Sequence, residues 1–286
     1  MRATKKVRDT QLECTIKWAL RYLGLGYCSV PVQEKEKGPR IKGWPDLRVD
    51  EEYIYSKWTE PNIALLLGPP SNYLVDVNLK CYNARIAAQI LLPRTRMVYG
   101  RRSALPSHYF YKSEVLKRLK LNHPETNKCL VMLKTSMVDE NGKIKGACTL
   151  VPPSIHPSGE RLKWYDPDDF YPKKVKAKIL IKRIHLIGVV CLLKSIWNNG
   201  SGHCLALSLA EIMAKANYSE KLITKFIITM CFTARDEDST DKIRLAKDIF
   251  DNIKRGSKIA GKRRLKEIIQ NDVVFNRVLE WLTALG

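Results

Sequence analysis

The sequence predicts an α+β core followed by an all-α helical bundle domain. The first half of the chain alternates short apolar runs with helical patterns, and turn-forming residues separate them. From residue 178 onward, apolar residues recur at helical spacing, as in LALSLAEIMAKA (205–216). Between the two parts, YDPDDFYPKK (165–174) has the proline- and aspartate-rich composition of a linker. We therefore predict a core domain over 1–165, a linker over 166–177 and a helical domain over 178–286.

The core domain begins with a helix, because apolar residues over 9–26 repeat at helical spacing and end at GLG. Further helices are predicted over 50–58 and 83–92, the second ending at Pro93. Strands are predicted at YCSVPV (27–32), NIALLLG (62–68), NYLVDVNLK (72–80), TRMVYG (95–100), SHYFYK (107–112), KCLVMLKT (128–135) and ACTLVPPS (147–154). The sequence ENGK (140–143) predicts a hairpin turn before the last of these strands.

The charge of the chain predicts a polyanionic partner. Fifty Lys and Arg residues against 29 Asp and Glu residues give a formal net charge of +21, which favours nucleic acid over an anionic membrane surface. The most apolar window, 179–197, contains Lys182, Arg183, His185 and Lys194, so we expect no membrane span. No signal peptide is evident. Eight scattered cysteines without C-x-x-C spacing predict reduced thiols of a cytoplasmic protein and no structural zinc.

One candidate site lies in the strand NYLVDVNLK. Strand residues two apart point to the same side, so Asp76 and Asn78 share one face. Two carboxylates in this arrangement would clamp a metal ion, whereas Asn78 offers only an amide oxygen. The structural alternative is that Asp76 caps a turn.

Two further motifs carry polar side chains at strand ends. In VYGRRSALPSHYFY (98–111), His108 heads an aromatic strand after a basic turn; the alternative is a hydrogen-bonded core histidine. The segment LVPPSIHPSGERLKW (150–164) forms a Pro/Gly-rich turn that carries Ser154, His156 and Ser158.

In this order, the motifs resemble the prim-pol domain of the archaeo-eukaryotic primase superfamily, the bifunctional primase–polymerases. The resemblance covers most of residues 10–165 and implies an archaeo-eukaryotic primase-like catalytic core. The helical part resembles the C-terminal domain that often follows such cores. The matching residues are Pro31, Lys37, Pro39, Trp44, Gly68, Asp76, Asn78, Gly100, Arg101, Ser107, His108, the segment PPSIHPSG (152–159) and Trp164.

The resemblance implies template-directed nucleotidyl transfer by a DNA primase/polymerase of a plasmid, virus or integrated mobile element. The cofactors would be two divalent ions, Mg²⁺ or Mn²⁺. The substrates would be single-stranded DNA template and nucleoside triphosphates, and a replicative helicase would be a further partner. It implies that Asp76 and Asn78 are metal ligands and that His108 contacts the triphosphate. The remaining implied phosphate contacts are Arg101, Ser107, Ser154 and His156 for the nucleotide, and Lys37, Arg40, Lys42 and Lys134 for nucleic acid.

The sequence departs from the family pattern at two of three expected acids. Asn78 stands where relatives carry Asp or Glu, and Met132 stands where the third acid is expected. Asp139 and Glu140, in the hairpin insertion, are the nearest acidic substitutes. Two hypotheses therefore remain open: an enzyme with a weak metal site, and a catalytically impaired relative that binds nucleic acid or nucleotide as a replication-initiation or accessory protein. A third is a basic DNA-binding protein that uses its helical domain.

Overall fold

The structure, a computed structural model, confirms the predicted fold class: an α+β region is followed by helices. It describes residues 2–115, 117–138, 140–141, 144–169, 171–236, 240, 242, 244, 248 and 261–284. Most of the helix expected over DKIRLAKDIFDNIKRG (241–256) therefore lies outside the described residues.

In its described part, the α+β region contains three α-helices and twelve short strands. The helices are α1 (Arg2–Gly24), α2 (Glu51–Ser56) and α3 (Tyr82–Leu91). The strands are β1 (Ser29–Val32), β2 (Asn62–Leu66), β3 (Leu74–Leu79), β4 (Val98–Arg101), β5 (Ala104–Lys112), β6 (Leu119–Asn122), β7 (Cys129–Lys134), β8 (Met137–Val138), β9 (Ile144–Lys145), β10 (Cys148–Leu150), β11 (Leu162–Trp164) and β12 (Lys173–Lys174). The short strands β8 and β9 pair with each other on either side of the predicted hairpin turn.

The remaining helices are α4 (Ala177–Ile196), α5 (Gly202–Lys215), α6 (Glu220–Ala234), α7 (Gly261–Ile269) and α8 (Asp272–Thr283). A π-helical turn at Trp197–Ser201 joins α4 to α5. No helix in the described part of the chain is long and apolar enough to cross a membrane.

Two sheets contain the strands other than β8 and β9, which form a separate two-stranded pair. The smaller has the order β1-β2-β10 and is antiparallel, and the larger has the order β11-β4-β5-β3-β7-β6, with β12 parallel to β5. In the larger sheet Asp76 pairs with Phe110 and Asn78 with His108. Because directly opposed residues point to the same side of a sheet, all four side chains share one face.

The first of two compact units comprises Met1–Asn78, Arg94–Leu119 and Met132–Ala177. Its core includes Tyr22 of α1, which donates a hydrogen bond to the carbonyl oxygen of Pro152 and accepts one from Nε1 of Trp164 at 3.2 Å. These bonds satisfy buried polar atoms that would otherwise be costly. They fix the PPS turn and β11 against α1.

The second compact unit comprises Leu79–Pro93, Lys120–Val131 and Lys178–Gly286. It takes in α3 from the middle of the predicted core domain, because α3 packs against α6. Within this unit α8 approaches α4 closely at Gly188, where a Cβ atom would lie only 2.6 Å from the ring of Trp281. The same tryptophan stacks on His185, with ring centroids 6.5 Å apart.

Candidate active site

The centre of the candidate site is the carboxylate of Asp76, which is fully buried. Its two oxygens each lie 3.0 Å from Nδ1 of His108. Thr149, on β10 of the smaller sheet, donates a hydrogen bond from Oγ1 to Oδ2 of Asp76 at 2.9 Å. A buried carboxylate needs such partners, because an isolated buried charge is strongly disfavoured.

These partners keep Asp76 ionised. Burial by itself raises the pKa of Asp76, but the charge and hydrogen bond of His108, the charge of Lys134 and the hydrogen bond from Thr149 together lower it below its ordinary value. At neutral pH the site therefore carries one fixed negative charge between basic side chains. Lys134 lies at the end of β7, the strand beside β3 in the sheet.

His108 is held on a second side by Tyr99. The two rings stack with centroids 4.4 Å apart and planes 14° apart. The buried Tyr99 hydroxyl donates to the carbonyl oxygen of Leu150 at 2.6 Å, which anchors the ring against β10. Burial, followed by the charge of Asp76, raises the pKa of Tyr99 well above its usual value, so it remains a neutral platform. His108 has 17% of its side chain exposed, whereas the Asp76 carboxylate beside it is fully buried.

The structure places Asn78 beside this cluster and almost fully buried, at 5% exposure. Met132 and Lys134 are two residues apart on β7 and therefore point to the same side. Glu140, one of the two acidic substitutes considered above, is exposed near the β8–β9 hairpin, and Asp139 lies outside the described residues.

A second polar cluster surrounds Arg101 at the end of β4. Its Nη1 donates to Oγ of Ser158 at 3.0 Å and to Oε2 of Glu160 at 3.1 Å. Glu160 also accepts bonds from the backbone and side chain of Ser103, at 2.9 and 2.7 Å. Nδ1 of His156 lies 2.8 Å from Oγ of Ser158. Burial lowers the pKa of His156, and the positive charges of the nearby Arg101 and Lys37 lower it further.

Ser107 and Ser154 are both buried, but for different reasons. Ser107 lies beside Gly100, where a Cβ atom would approach the carbonyl oxygen of Ala104 to 2.5 Å, so only glycine fits this close β4–β5 connection. Oγ of Ser154 accepts from the backbone N–H of Ile63 at 2.9 Å and donates to its carbonyl oxygen at 3.0 Å. The Ser154 hydroxyl thus links the PPS turn to β2, with both of its hydrogen bonds made inside the protein.

The predicted template-binding lysines and arginine lie on the loop between β1 and α2. Lys37, Arg40 and Lys42 are all exposed. Arg40 forms an ion pair with Glu36, and its backbone N–H donates to Oε1 of Gln33 at 3.2 Å. The loop therefore presents positive charge to solvent.

The model of the bifunctional DNA primase/polymerase N-terminal family, Prim-Pol, matches residues 19–176, more than half of the chain. The protein belongs to the Prim-Pol family. No curated protein and no solved structure is significantly similar to the chain. Membership of the Prim-Pol family confirms the resemblance found in the sequence and supports nucleotidyl transfer of the primase/polymerase type, with DNA template and nucleotides as substrates.

Prim-Pol enzymes generally use divalent metal ions, which bind best to several carboxylate oxygens. The carboxylate of Asp76 is already bonded to His108 and Thr149. Asn78 adds an uncharged amide oxygen and Met132 a thioether sulfur, and hard cations bind each of these less well than a carboxylate. Lys134 adds a positive charge, which repels a cation. Among the described residues, no three His, Cys, Asp or Glu side chains lie together as a metal site. The residues therefore do not fit a pair of divalent ions.

Sequence reasoning missed four residues of these clusters: Thr149, Tyr99, Ser103 and Glu160. Thr149 is 73 positions from Asp76 and belongs to the other sheet, so no local pattern links them. Tyr99 and Glu160 lie inside motifs that were singled out for their neighbours. Tyr99 carries no such signal, because the β4–β5 register shifts between Tyr99 and Arg101 and interrupts the strand alternation.

Proposed function

We propose that this Prim-Pol protein is a template-dependent DNA primase/polymerase of a plasmid, virus or integrated mobile element, acting in the cytoplasm on single-stranded DNA and nucleoside triphosphates. The observation that carries the proposal is the shared face of Asp76, Asn78 and His108 on paired strands. The chain divides for this purpose into a prim-pol domain over 1–165, a linker over 166–177 and a helical domain over 178–286. A replicative helicase is the further partner.

His108 is the residue that receives the triphosphate in this proposal. Asp76 is ionised, so Nδ1 of His108 donates to it and Nε2 faces the incoming phosphate. The Tyr99 ring fixes the plane of the imidazole. Lys134, on the neighbouring strand β7, supplies a compact positive charge that suits a phosphate oxygen.

Lys37, Arg40 and Lys42 hold the template backbone through charge, and Arg101 with His156 extends this basic surface towards the nucleotide. Phosphate contacts release counterions, so binding to single-stranded DNA is expected to weaken steeply as salt rises, by roughly 0.7 log units per log unit of salt for each contact. Charge reversal at Lys37 and Lys42 reduces that slope. A salt-independent affinity would show that these residues are not the binding surface.

A single cation, Mg²⁺ or Mn²⁺, is the most that Asp76 and Asn78 would hold, and weakly. Asn78→Asp adds a second carboxylate on the same face and is expected to tighten Mn²⁺ binding in a calorimetric titration. Asp46→Asn, on an exposed turn, is a control that leaves the titration unchanged. An unchanged titration for Asn78→Asp would show that residue 78 does not meet the ion.

Activity is tested on the full chain with single-stranded template, with and without a primer, and labelled nucleotides in Mn²⁺ or Mg²⁺. We expect incorporation to be greater with Mn²⁺ and to be lost in Asp76→Ala. Absence of incorporation with either ion, in folded protein that still binds DNA, would refute the enzymatic proposal.

That last result would favour a second candidate: a catalytically impaired relative that binds nucleic acid or nucleotide in replication initiation or as an accessory protein. The observation in its favour is that both oxygens of Asp76 are already bonded within the protein. In this case nucleotide affinity is independent of divalent ions, since Lys134 and His108 meet the phosphate directly.

A further inference from the structure

Two cysteines of the second compact unit face each other at close range. Sγ of Cys81 lies 3.7 Å from Sγ of Cys191, a separation that permits an S–H···S hydrogen bond. Cys81 is the N-cap residue of α3, and Cys191 lies in the last two turns of α4. Both residues are half-buried, and the Cys191 thiol is the more deeply buried of the two. No role in the proposed polymerase chemistry uses either thiol.

The environment of Cys81 makes it a reactive thiolate. A hydrogen bond from Cys191 lowers the pKa of Cys81 to about 6, despite burial, with help from the backbone N–H of Ala84 and the charge of Arg85. The N-terminus of a helix stabilises a thiolate through the same N–H groups and the helix dipole. The thiol proton therefore stays on Cys191, whose pKa is raised well above its usual value by that same bond and by burial.

Four other cysteines of this chain differ from Cys81. Burial raises the pKa of Cys28, Cys129, Cys148 and Cys231, so each is an ordinary protonated thiol at neutral pH. A low-pKa thiolate that is partly exposed and next to a second cysteine is the arrangement found at redox-sensitive sites.

We propose that Cys81 is a peroxide-sensitive modification site and that Cys191 is its resolving thiol. The Cys81 thiolate attacks the O–O bond of a hydroperoxide and takes one oxygen, giving Cys81 sulfenic acid and, with one proton, water or an alcohol. The Cys191 sulfur then attacks the Cys81 sulfur, its proton leaves with the hydroxyl as a second water, and the disulfide forms. The two thiols are oxidised by two electrons and the peroxide is reduced.

The bond would link the first turn of α3 covalently to α4. A movement of the sulfurs by roughly 1.7 Å suffices, because a disulfide has an S–S distance of about 2.0 Å. Thiol reductants reverse the link. Cys81 follows the last residue of β3, Leu79, by two positions, so the modified segment continues directly from the strand that bears Asp76.

The test uses the full chain treated with hydrogen peroxide and then with a sulfenic-acid trap, dimedone. Wild-type protein is expected to lose about 2 Da, the mass of two hydrogens, and to yield a Cys81–Cys191 linked peptide without reductant. In Cys191→Ser the disulfide is absent and dimedone labels Cys81. Cys129→Ser, a matched change at another partly exposed cysteine, leaves the linked peptide intact. Absence of both the link and the dimedone adduct would overturn the proposal.

A second measurement separates the reactive thiolate from simple proximity. Between pH 8 and pH 6, the alkylation rate of Cys81 by iodoacetamide is expected to fall about twofold, because a thiol with a pKa of about 6 stays largely ionised. A small model thiol with a pKa near 8.5 falls about eightyfold over the same range. Cys81→Ser retains an N-cap side chain and provides the folded, unlabelled reference. A fall of Cys81 reactivity like that of the model thiol would contradict the proposal.

Discussion

Asp76 and His185 are both buried ionisable side chains, and the structure treats them in opposite ways. Asp76, in the first unit, is surrounded by His108, Thr149 and Lys134, and its pKa is lowered. His185, in the second unit, stacks on Trp281, and no hydrogen-bond partner of its Nδ1 occurs among the described residues. Burial alone lowers the pKa of His185 to about 4.

The difference teaches that partners, rather than burial, decide whether a buried group is charged. Desolvation disfavours the charged form of both residues. At Asp76 the surrounding positive charge outweighs it, so the site is built around a fixed carboxylate. At His185 nothing opposes it, so the imidazole is part of the apolar contact between α4 and α8. A charged residue with this many partners is a candidate for function, and a neutral one is a candidate for packing.

The largest expected effect is that of Asp76→Ala. Removing the carboxylate leaves His108 and Thr149 without their buried partner, and breaking a buried ionic network costs about 3–5 kcal/mol. Urea unfolding of the wild type and variant measures this loss. Asp46→Ala, at an exposed position, is the control and leaves the unfolding midpoint unchanged. A cost below about 1 kcal/mol would mean that the network contributes little and the comparison fails.

The next effect is the acid sensitivity of the second unit. The folded pKa of His185 lies below the unfolded value near 6.5, so the unfolded chain binds a proton first and stability falls as pH drops from about 7 to 4. The shift corresponds to roughly 3 kcal/mol at the acid end. Hydrogen exchange of peptides from α4 and α8 measures this loss of stability as the pH is lowered. His185→Gln, which does not titrate, should flatten the dependence.

The contribution of Asp76 is lost in a different pH window. Because its folded pKa is lowered, its stabilisation is fully present above the ordinary carboxyl pKa near 3.9 and is lost only as pH falls further, through the folded value. Peptides from β3 and β5 should therefore keep their protection over the range in which α4 and α8 lose theirs. If peptides from both units lost protection at the same pH, one global unfolding transition would account for the loss, and the separate contributions of Asp76 and His185 would not be resolved.

A smaller effect is expected from Lys134→Met, which removes a charge but keeps much of the apolar stem. The pKa of Asp76 should rise, since Lys134 contributes to its depression. A carboxyl carbon titration followed by NMR measures the direction. Affinity for a nucleoside triphosphate should fall roughly tenfold, the value of one charge-assisted contact. Lys120→Met, at an exposed strand position, is the matched control.

The smallest effect is expected at Glu160. Its carboxylate has as many partners as that of Asp76, but 29% of its side chain is exposed, and ion pairs open to solvent add little to stability. Glu160→Gln should leave the urea midpoint unchanged within error. A loss comparable with that of Asp76→Ala would show that the number of partners matters more than burial.

Sequence patterns predicted the local part of this arrangement. The two-residue period of a strand placed Asp76 and Asn78 on one face, and the aromatic run after Pro106 marked β5. The contribution of Thr149 could not be predicted, because it depends on how the two sheets pack. The grouping of α3 with the helices of the second unit is equally non-local. The predicted linker over 166–177 contains β12, whose pairing with β5 depends on residues far away in sequence.

The stacked ring of Tyr99 has a spectroscopic consequence for His108. An aromatic ring shields protons held above its face, so the imidazole protons of His108 should resonate upfield of their ordinary positions. A triphosphate that moves the imidazole would return its signals towards ordinary positions. If His108 contacts the triphosphate as proposed, its proton signals would report nucleotide entry without a label.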